Sequence, residues 1–318
     1  MTVRELTDAE IASLVRDMES LRGGPTAAAA LIGCGIRVIA PLRHSLLEGP
    51  PRGIFQPRQL VVETLAELGA KGVLIEYLLD HPPIKDPVVR HAEDAVRSTA
   101  ARELGRWQSD DVFECLRQVT LDQLLPGAVE ALGLFRRAEM MPYFLWALGD
   151  DICRSCAEEA IRKVGEAAKP YLLRAVNSPS PSADQETPTS LRRRRWALRI
   201  LSDLKLVEKD WLELKSLLNE DDPEIVITAA RISLVTAPMP DKWQGVRRVI
   251  AMLPRADWFL RTEARAALAQ HFDIAREPIE DEIARRTKPN LKAQALDVVL
   301  RMLVNLRSQV LESGVSRP

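Results

Sequence analysis

Apolar residues recur along this chain at the spacing of an amphipathic helix. Between residues 153 and 164 they follow the pattern i, i+3, i+4, i+7, i+8 and i+11. The positions are Cys153, Cys156, Ala157, Ala160, Ile161 and Val164. This spacing places a single apolar stripe on one face of a helix, with charged residues outside it. Alternation of the strand type is rare in the sequence, so we expect an all-α protein.

The helical pattern is itself repeated. Five segments end in glycine, and the glycines are separated by 36, 36, 28 and 32 residues. They are Gly33, Gly69, Gly105, Gly133 and Gly165. Glycine past the end of a helix takes up a left-handed conformation that other residues resist, so each glycine predicts a helix end. A proline opens the following apolar pattern at Pro41, Pro142 and Pro170. The repeating unit is therefore a helix, a glycine, a turn, a proline and a second helix.

The pattern x-x-A-x-x-A-L/I-x-x-L/V-G followed by P-x-L resembles HEAT repeats. It is most similar to the short bacterial kind named after phycobilisome lyases, and residues 149–176 carry it best. The resemblance covers residues 26–176 well and 190–305 loosely. It implies a right-handed α-solenoid of about nine stacked helix pairs, in which neighbouring pairs bury each other's apolar stripes.

The composition changes once along the chain. Residues 177–190 contain three prolines among serines, threonines and acids, which predicts a mobile surface loop. Ser178 and Ser180 within it are each followed by proline. We therefore expect N-terminal HEAT-like repeats over residues 1–176, and more divergent repeats of the same solenoid over residues 191–318.

The clearest candidate for a binding site is an arginine run. On a helical wheel, Arg192, Arg195 and Arg199 lie opposite the apolar stripe that contains Ala197 and Ile200. Such a row suits an acidic partner. Matching arginines project from other predicted helices at Arg90, Arg97 and Arg162. The alternative is a solvated face, together with the ladder that the HEAT resemblance implies, in which an aspartate of one repeat meets an arginine of the next.

Little else in the sequence points to chemistry. The formal net charge is −1, so no global field attracts DNA or a membrane. No catalytic, metal-binding or cofactor-binding motif is present, and Cys153 and Cys156 fit core packing. No apolar stretch is long enough to span a membrane, the first 22 residues are too charged for a signal peptide, and we expect a cytoplasmic protein. Trp107 and Asp111 invite comparison with HEAT-like-repeat DNA glycosylases, although the wider pattern of that family is missing.

These observations favour a non-enzymatic scaffold or adaptor that binds a protein or an acidic peptide on the solenoid surface. A nucleic-acid-binding or DNA-repair protein that uses the basic helix face is the first alternative. A bilin-lyase-like or chaperone activity is the second alternative, and it follows from the family resemblance alone. The oligomeric state stays open.

Overall fold

A computed structural model describes residues 6–80, 83–121, 123–182, 185–287 and 298–314. Within these ranges the regular structure is helical, apart from one short antiparallel hairpin of β1 (Pro181–Ser182) and β2 (Gln185–Glu186). The chain divides into two compact units, Met1–Ala168 and Lys169–Pro318. In the described residues, no helix is both long and apolar enough to cross a membrane.

The α-helices of the first unit follow one another closely. They are α1 (Asp8–Asp17), α2 (Gly24–Gly33), α3 (Ile39–Leu47), α4 (Gln56–Glu67), α5 (Lys71–Leu79), α6 (Pro87–Leu104), α7 (Asp110–Val119), α8 (Pro126–Phe135), α9 (Met141–Leu148) and α10 (Arg154–Val164). Short 3-10 turns precede α3 and α9 and follow α10.

The second unit has the same character. Its α-helices are α11 (Lys169–Val176), α12 (Pro188–Ser202), α13 (Glu208–Leu214), α14 (Pro223–Thr236), α15 (Met239–Met252), α16 (Trp258–Gln270), α17 (Phe272–Thr287) and α18 (Val298–Gly314). The β1–β2 hairpin connects α11 to α12, and a 3-10 turn extends α13.

Within each unit the helices form two rows, because each helix packs against the helix two places along. In the first unit the even-numbered helices contact one another from α2 to α10, and the odd-numbered helices do so from α1 to α7. In the second unit α12, α14, α16 and α18 form one row, and α11 packs on α13 and α15 on α17. This stacking of successive pairs defines an α-solenoid, which confirms the predicted all-α repeat fold. The described helices make nine successive pairs, as expected.

The predicted apolar stripe forms the core of the repeats. In α10, Ala157, Ala160 and Ile161 are buried, as is Cys153 just before the helix, while Cys156 is half-buried. Pro41, Pro142 and Pro170 lie in the first turns of α3, α9 and α11, where their missing N–H groups leave no helical bond unmade.

The recurring glycines do not all act as helix ends. Gly69 and Gly165 have positive φ angles of 73° and 69° and follow α4 and α10 as predicted. Gly105 ends α6 with an ordinary right-handed conformation at φ −58°. Gly133 lies inside α8, so the prediction is wrong there. A Cβ atom at Gly133 would lie 2.8 Å from Cβ of Ala160, so this glycine allows α8 and α10 to approach closely.

The segment between α11 and α12 is more structured than its composition suggests. The backbone N–H of Ser180 donates to Oγ of Ser190 at 2.9 Å, and that hydroxyl donates to Glu186 at 2.6 Å. Ser190 is only 2% exposed. The hairpin is thus attached to the first turn of α12, while residues 183–184 lie outside the described residues. The mobility of the loop stays a prediction.

The close approach at Gly133 generates a stability prediction. We expect Gly133→Leu to lower the free energy of unfolding by about 1–3 kcal/mol or more, because its side chain must displace Ala160 in a packed core. The measurement is chemical denaturation of the full chain. Gly33→Leu is the matched control, since Gly33 ends α2 at an exposed position with no atom within 4 Å of its Cβ site. Equal stability of the two variants would contradict the packing role.

Candidate binding surface

The helix that carries the arginine run, α12, starts at a well-defined cap. Oγ1 of Thr187 accepts the backbone N–H of Ser190 at 3.2 Å, and Pro188 occupies the first helical position. Ala197, Ile200 and Leu201 are buried, as the helical wheel predicts. Because this stripe is buried, the orientation of α12 is fixed, and each arginine has its own surroundings.

Arg194 is a buried structural residue. It is 3% exposed, and its Nε donates to the carbonyl of Val176 at 2.7 Å. The other two nitrogens bind Glu186, at 2.6 Å, and Glu220. Burial by itself lowers the pKa of Arg194, but the hydrogen bonds to Glu220 and Glu186 outweigh that effect and raise the pKa. One side chain therefore joins the end of α11, the hairpin and the segment before α14.

The same arrangement recurs elsewhere in the chain. In each case an arginine of an even-numbered helix donates to carbonyls at the C-terminal end of the preceding odd-numbered helix. Arg58 binds the carbonyls of Leu46 and Gly49, Arg97 binds that of Leu78, and Arg261 binds those of Leu253 and Pro254. The carbonyls of a last helical turn lack helical partners and carry partial negative charge, so a guanidinium is well suited to them.

Two of these arginines also reach the next repeat, as Arg194 does. Arg58 binds Glu93 of α6 at 2.8 Å, and Glu93, which is 2% exposed, accepts the hydroxyl of Tyr77 at 2.5 Å. Arg97 binds the side chain of Gln123 just before α8. We call this recurring contact the carbonyl-binding arginine.

Arg195 and Arg199 lie away from the buried stripe of α12, as the helical wheel predicts, but they are half-buried, and carboxylates of the α14 cap, α14 and α16 bind them. Arg195 contacts Asp222 at 2.5 Å and Glu224 at 3.5 Å. Arg199 contacts Glu224 at 2.7 Å and Glu263 at 3.5 Å. The hydrogen bond to Asp222 raises the pKa of Arg195. The predicted basic row is therefore one side of an ion-pair network across α12, α14 and α16.

Aromatic side chains enclose Arg199. Its guanidinium carbon lies 5.5 Å from the ring centroid of Trp196 and 5.5 Å from that of Phe259. Cation–π attraction of this kind holds both rings beside the guanidinium. Phe259 is 51% exposed and its neighbour Trp258 is 78% exposed. We call this group of Trp196, Arg199, Trp258 and Phe259 the arginine–aromatic surface.

The sequence pattern predicted Arg199 as a binding residue but did not predict the role of Phe259. Trp258 and Phe259 open α16, whereas Leu260 and Ala264 of the same helix are buried. Two adjacent aromatic residues outside the apolar stripe were a usable signal for exposure. The pairing of Phe259 with Arg199 was not predictable, because it spans two repeats.

The other predicted site residues are distributed between the units. Arg90, Arg97 and Arg162 belong to the first unit, and Arg192, Arg195 and Arg199 belong to the second. Arg90 is exposed, Arg162 pairs with Glu158 at 2.5 Å, and desolvation lowers the pKa of half-buried Arg97. No observation tests whether any of the six binds a partner, so their binding role stays a prediction.

Asp86 and Asp150, which precede Arg90 and Arg154 by four residues, act as helix caps rather than as members of a ladder between repeats. They accept backbone N–H groups at the starts of α6 and α10, at distances of 2.8–3.1 Å. Asp222 makes such a cap to Ile225 and also pairs with Arg195 of the previous repeat. Helix starts attract carboxylates because their first N–H groups lack partners.

The remaining candidates for chemistry have structural surroundings. Burial raises the pKa of Cys153 to about 12, so its thiol stays protonated near neutral pH. Asp111 pairs with Lys71 at 2.7 Å, and the hydrogen bonds from Lys71 and Ser109 lower its pKa to about 2. In the described part of the chain, no group of three potential metal ligands occurs.

Comparison with known proteins gives limited information. No family model matches the chain, and no curated protein matches it. Among solved structures, the chain is similar to a designed armadillo repeat protein in complex with the peptide (KR)4, at 13% identity, covering 93% of this chain and 99% of that one, with a TM-score of 0.20. The packing of the helices defines the repeat fold, and assignment to the HEAT family in particular stays a prediction.

The burial of Arg194 generates a second stability prediction. Arg194→Met removes the guanidinium from Glu220, Glu186 and the Val176 carbonyl, so we expect a loss of about 3–5 kcal/mol in the free energy of unfolding. Arg255→Met in the same unit is the control, because its ion pair with Asp221 is exposed and contributes less than about 1 kcal/mol. Denaturation of both variants measures the difference, and equal losses would show that Arg194 is not a structural residue.

Proposed function

We propose that this protein is a binding scaffold, and that its second unit binds a segment of a protein partner on the arginine–aromatic surface. The observation that carries the proposal is the exposure of Phe259 beside the Arg199 guanidinium, with the exposed Trp258 preceding it in the chain. Aromatic residues and arginine are enriched among the residues that dominate binding energies.

The surroundings of these rings favour binding. Arg199 is fixed by Glu224 and Glu263 as well as by the two rings it touches. A group held in place before binding loses less conformational freedom when a partner docks, so more of the contact energy appears as affinity. Because the residues lie on helices of stacked repeats, their spacing is set by the packing of the unit rather than by a loop.

The ion pairs around the surface are balanced in charge. Guanidinium groups of Arg195, Arg199 and Arg231 pair with carboxylates of Asp222, Glu224 and Glu263. We therefore propose that apolar side chains of the partner segment contact the rings, and that any charged side chains of the segment serve mainly its specificity.

Paired capture experiments test this function. The full chain, the double variant W196S/F259S and the control W243S serve as bait in a lysate of the source cells, with and without nuclease. Trp243 is the control because it is 36% exposed in the same unit but lies on α15, outside the proposed surface. We expect the double variant to retain at least about tenfold less of a stoichiometric protein partner than the other two baits.

Two outcomes would contradict the scaffold function at this surface. Equal capture by all three baits would show that the rings are not part of a protein-binding site. Loss of every partner on nuclease treatment would instead favour the nucleic-acid alternative, in which binding falls steeply as salt rises.

A further inference from the structure

A serine in the β1–β2 segment lies against an arginine of α12. Nη2 of Arg193 is 3.2 Å from Oγ of Ser180, 3.3 Å from the carbonyl of Ser178 and 3.4 Å from Oγ of Ser190. Arg193 thus faces the side chain of an exposed serine that is followed directly by proline. This contact does not take part in the arginine–aromatic surface.

Arg193 has donor capacity left over. Its Nε is buried and has no hydrogen-bond partner among the described residues. The oxygens that it does bind are neutral, two hydroxyls and one carbonyl. A guanidinium that binds only neutral oxygens would form stronger hydrogen bonds with an anion that offers several oxygens. Hydrogen bonds to an anion are about twice as strong as those to neutral groups.

The backbone holds Ser180 in place. Its N–H donates to Oγ of Ser190, and its carbonyl accepts the N–H of Thr187 at 3.1 Å. Both contacts lie at the start of α12, where the helix dipole favours negative charge. The nearby carboxylate, Glu186, already pairs with Arg194 at 2.6 Å, which reduces its repulsion of an added anion.

We propose that Ser180 is a phosphorylation site and that Arg193 binds the resulting phosphate. In the transfer, Oγ of Ser180 bonds to the γ-phosphorus of a nucleoside triphosphate held by a separate serine/threonine kinase of the class that accepts proline after the acceptor. The bond to the bridging oxygen breaks, the nucleoside diphosphate leaves, and the hydroxyl proton passes to the base of the kinase. The added charge of about −1.5 to −2 strengthens the attachment of the hairpin to α12.

The first test measures phosphate binding without a kinase. Phosphoserine is incorporated at position 180 of the full chain during synthesis, and its second pKa is measured by phosphorus NMR. An ordinary phosphoserine has a second pKa of about 6. We expect the second pKa of phosphoserine at position 180 to be lower than this by at least about 0.5, because the adjacent guanidinium favours the dianion.

Two matched proteins identify the cause. Phosphoserine at position 178 is the first, because Arg193 contacts only the backbone carbonyl of that residue. Phosphoserine 180 in an Arg193→Gln chain is the second. Both are expected to show the ordinary pKa. The proposal is overturned if position 180 titrates like position 178, or if Arg193→Gln leaves its pKa unchanged.

The second test asks whether the folded chain is a substrate. The full chain is incubated with Mg²⁺, ATP and a proline-directed serine/threonine kinase, and the phosphate is located by mass spectrometry. We expect phosphate at Ser180 and loss of that product in Ser180→Ala, with Ser178→Ala retaining it. A folded chain that stays unmodified at Ser180 overturns the assignment.

Discussion

One contact, the carbonyl-binding arginine, recurs in four of the nine described helix pairs. Each helix pair leaves unpaired carbonyls at the end of its first helix, and these would cost free energy if they were buried without a donor. Arg58, Arg97, Arg194 and Arg261 supply that donor from the second helix of the pair. In some repeats the same arginine also binds a Glu or Gln of the next repeat. It then contacts the carbonyls of its own helix pair and connects that pair to the following one. Apolar stacking supplies most of the burial, and the arginine fixes how the pairs meet.

This constraint explains why a run of arginines occurs in a chain of nearly neutral charge. Within α12 the neighbours Arg193, Arg194, Arg195 and Arg199 point in different directions, so each has a different environment. Arg194 is buried as a structural residue, Arg193 faces the hairpin, and Arg195 and Arg199 pair with carboxylates across the repeats. What remains available to a partner is mainly the aromatic rings beside Arg199, rather than a bare basic row. One face of α12 therefore carries a structural arginine, and another face carries part of the surface that we propose for binding.

Much of the fold could be predicted from the sequence because it follows from local rules. The 3.6-residue period places Ala157 and Ile161 in the core, and proline in a first turn marks Pro142 and Pro170 as helix starts. The glycines were less predictable, since a glycine at a helix end and one at a helix crossing look identical in sequence. Gly133 belongs to the second kind because Ala160, 27 residues away, approaches it. Likewise, Arg194 precedes the buried Ala197 and Leu198 by three and four residues, which places it beside them on the helix. Its partners Val176 and Glu220 come from other elements and have no local signature.

The central claim is that Arg194 couples successive repeats, and a double-mutant cycle tests it most directly. The free energies of unfolding of the parent chain, Arg194→Met, Glu220→Gln and the double variant give the interaction energy between the two side chains. Because Arg194 is 3% exposed and binds Glu220 directly, we expect a coupling of about 1–3 kcal/mol. A coupling indistinguishable from zero would mean that the pair does not hold the repeats together, and would contradict the account.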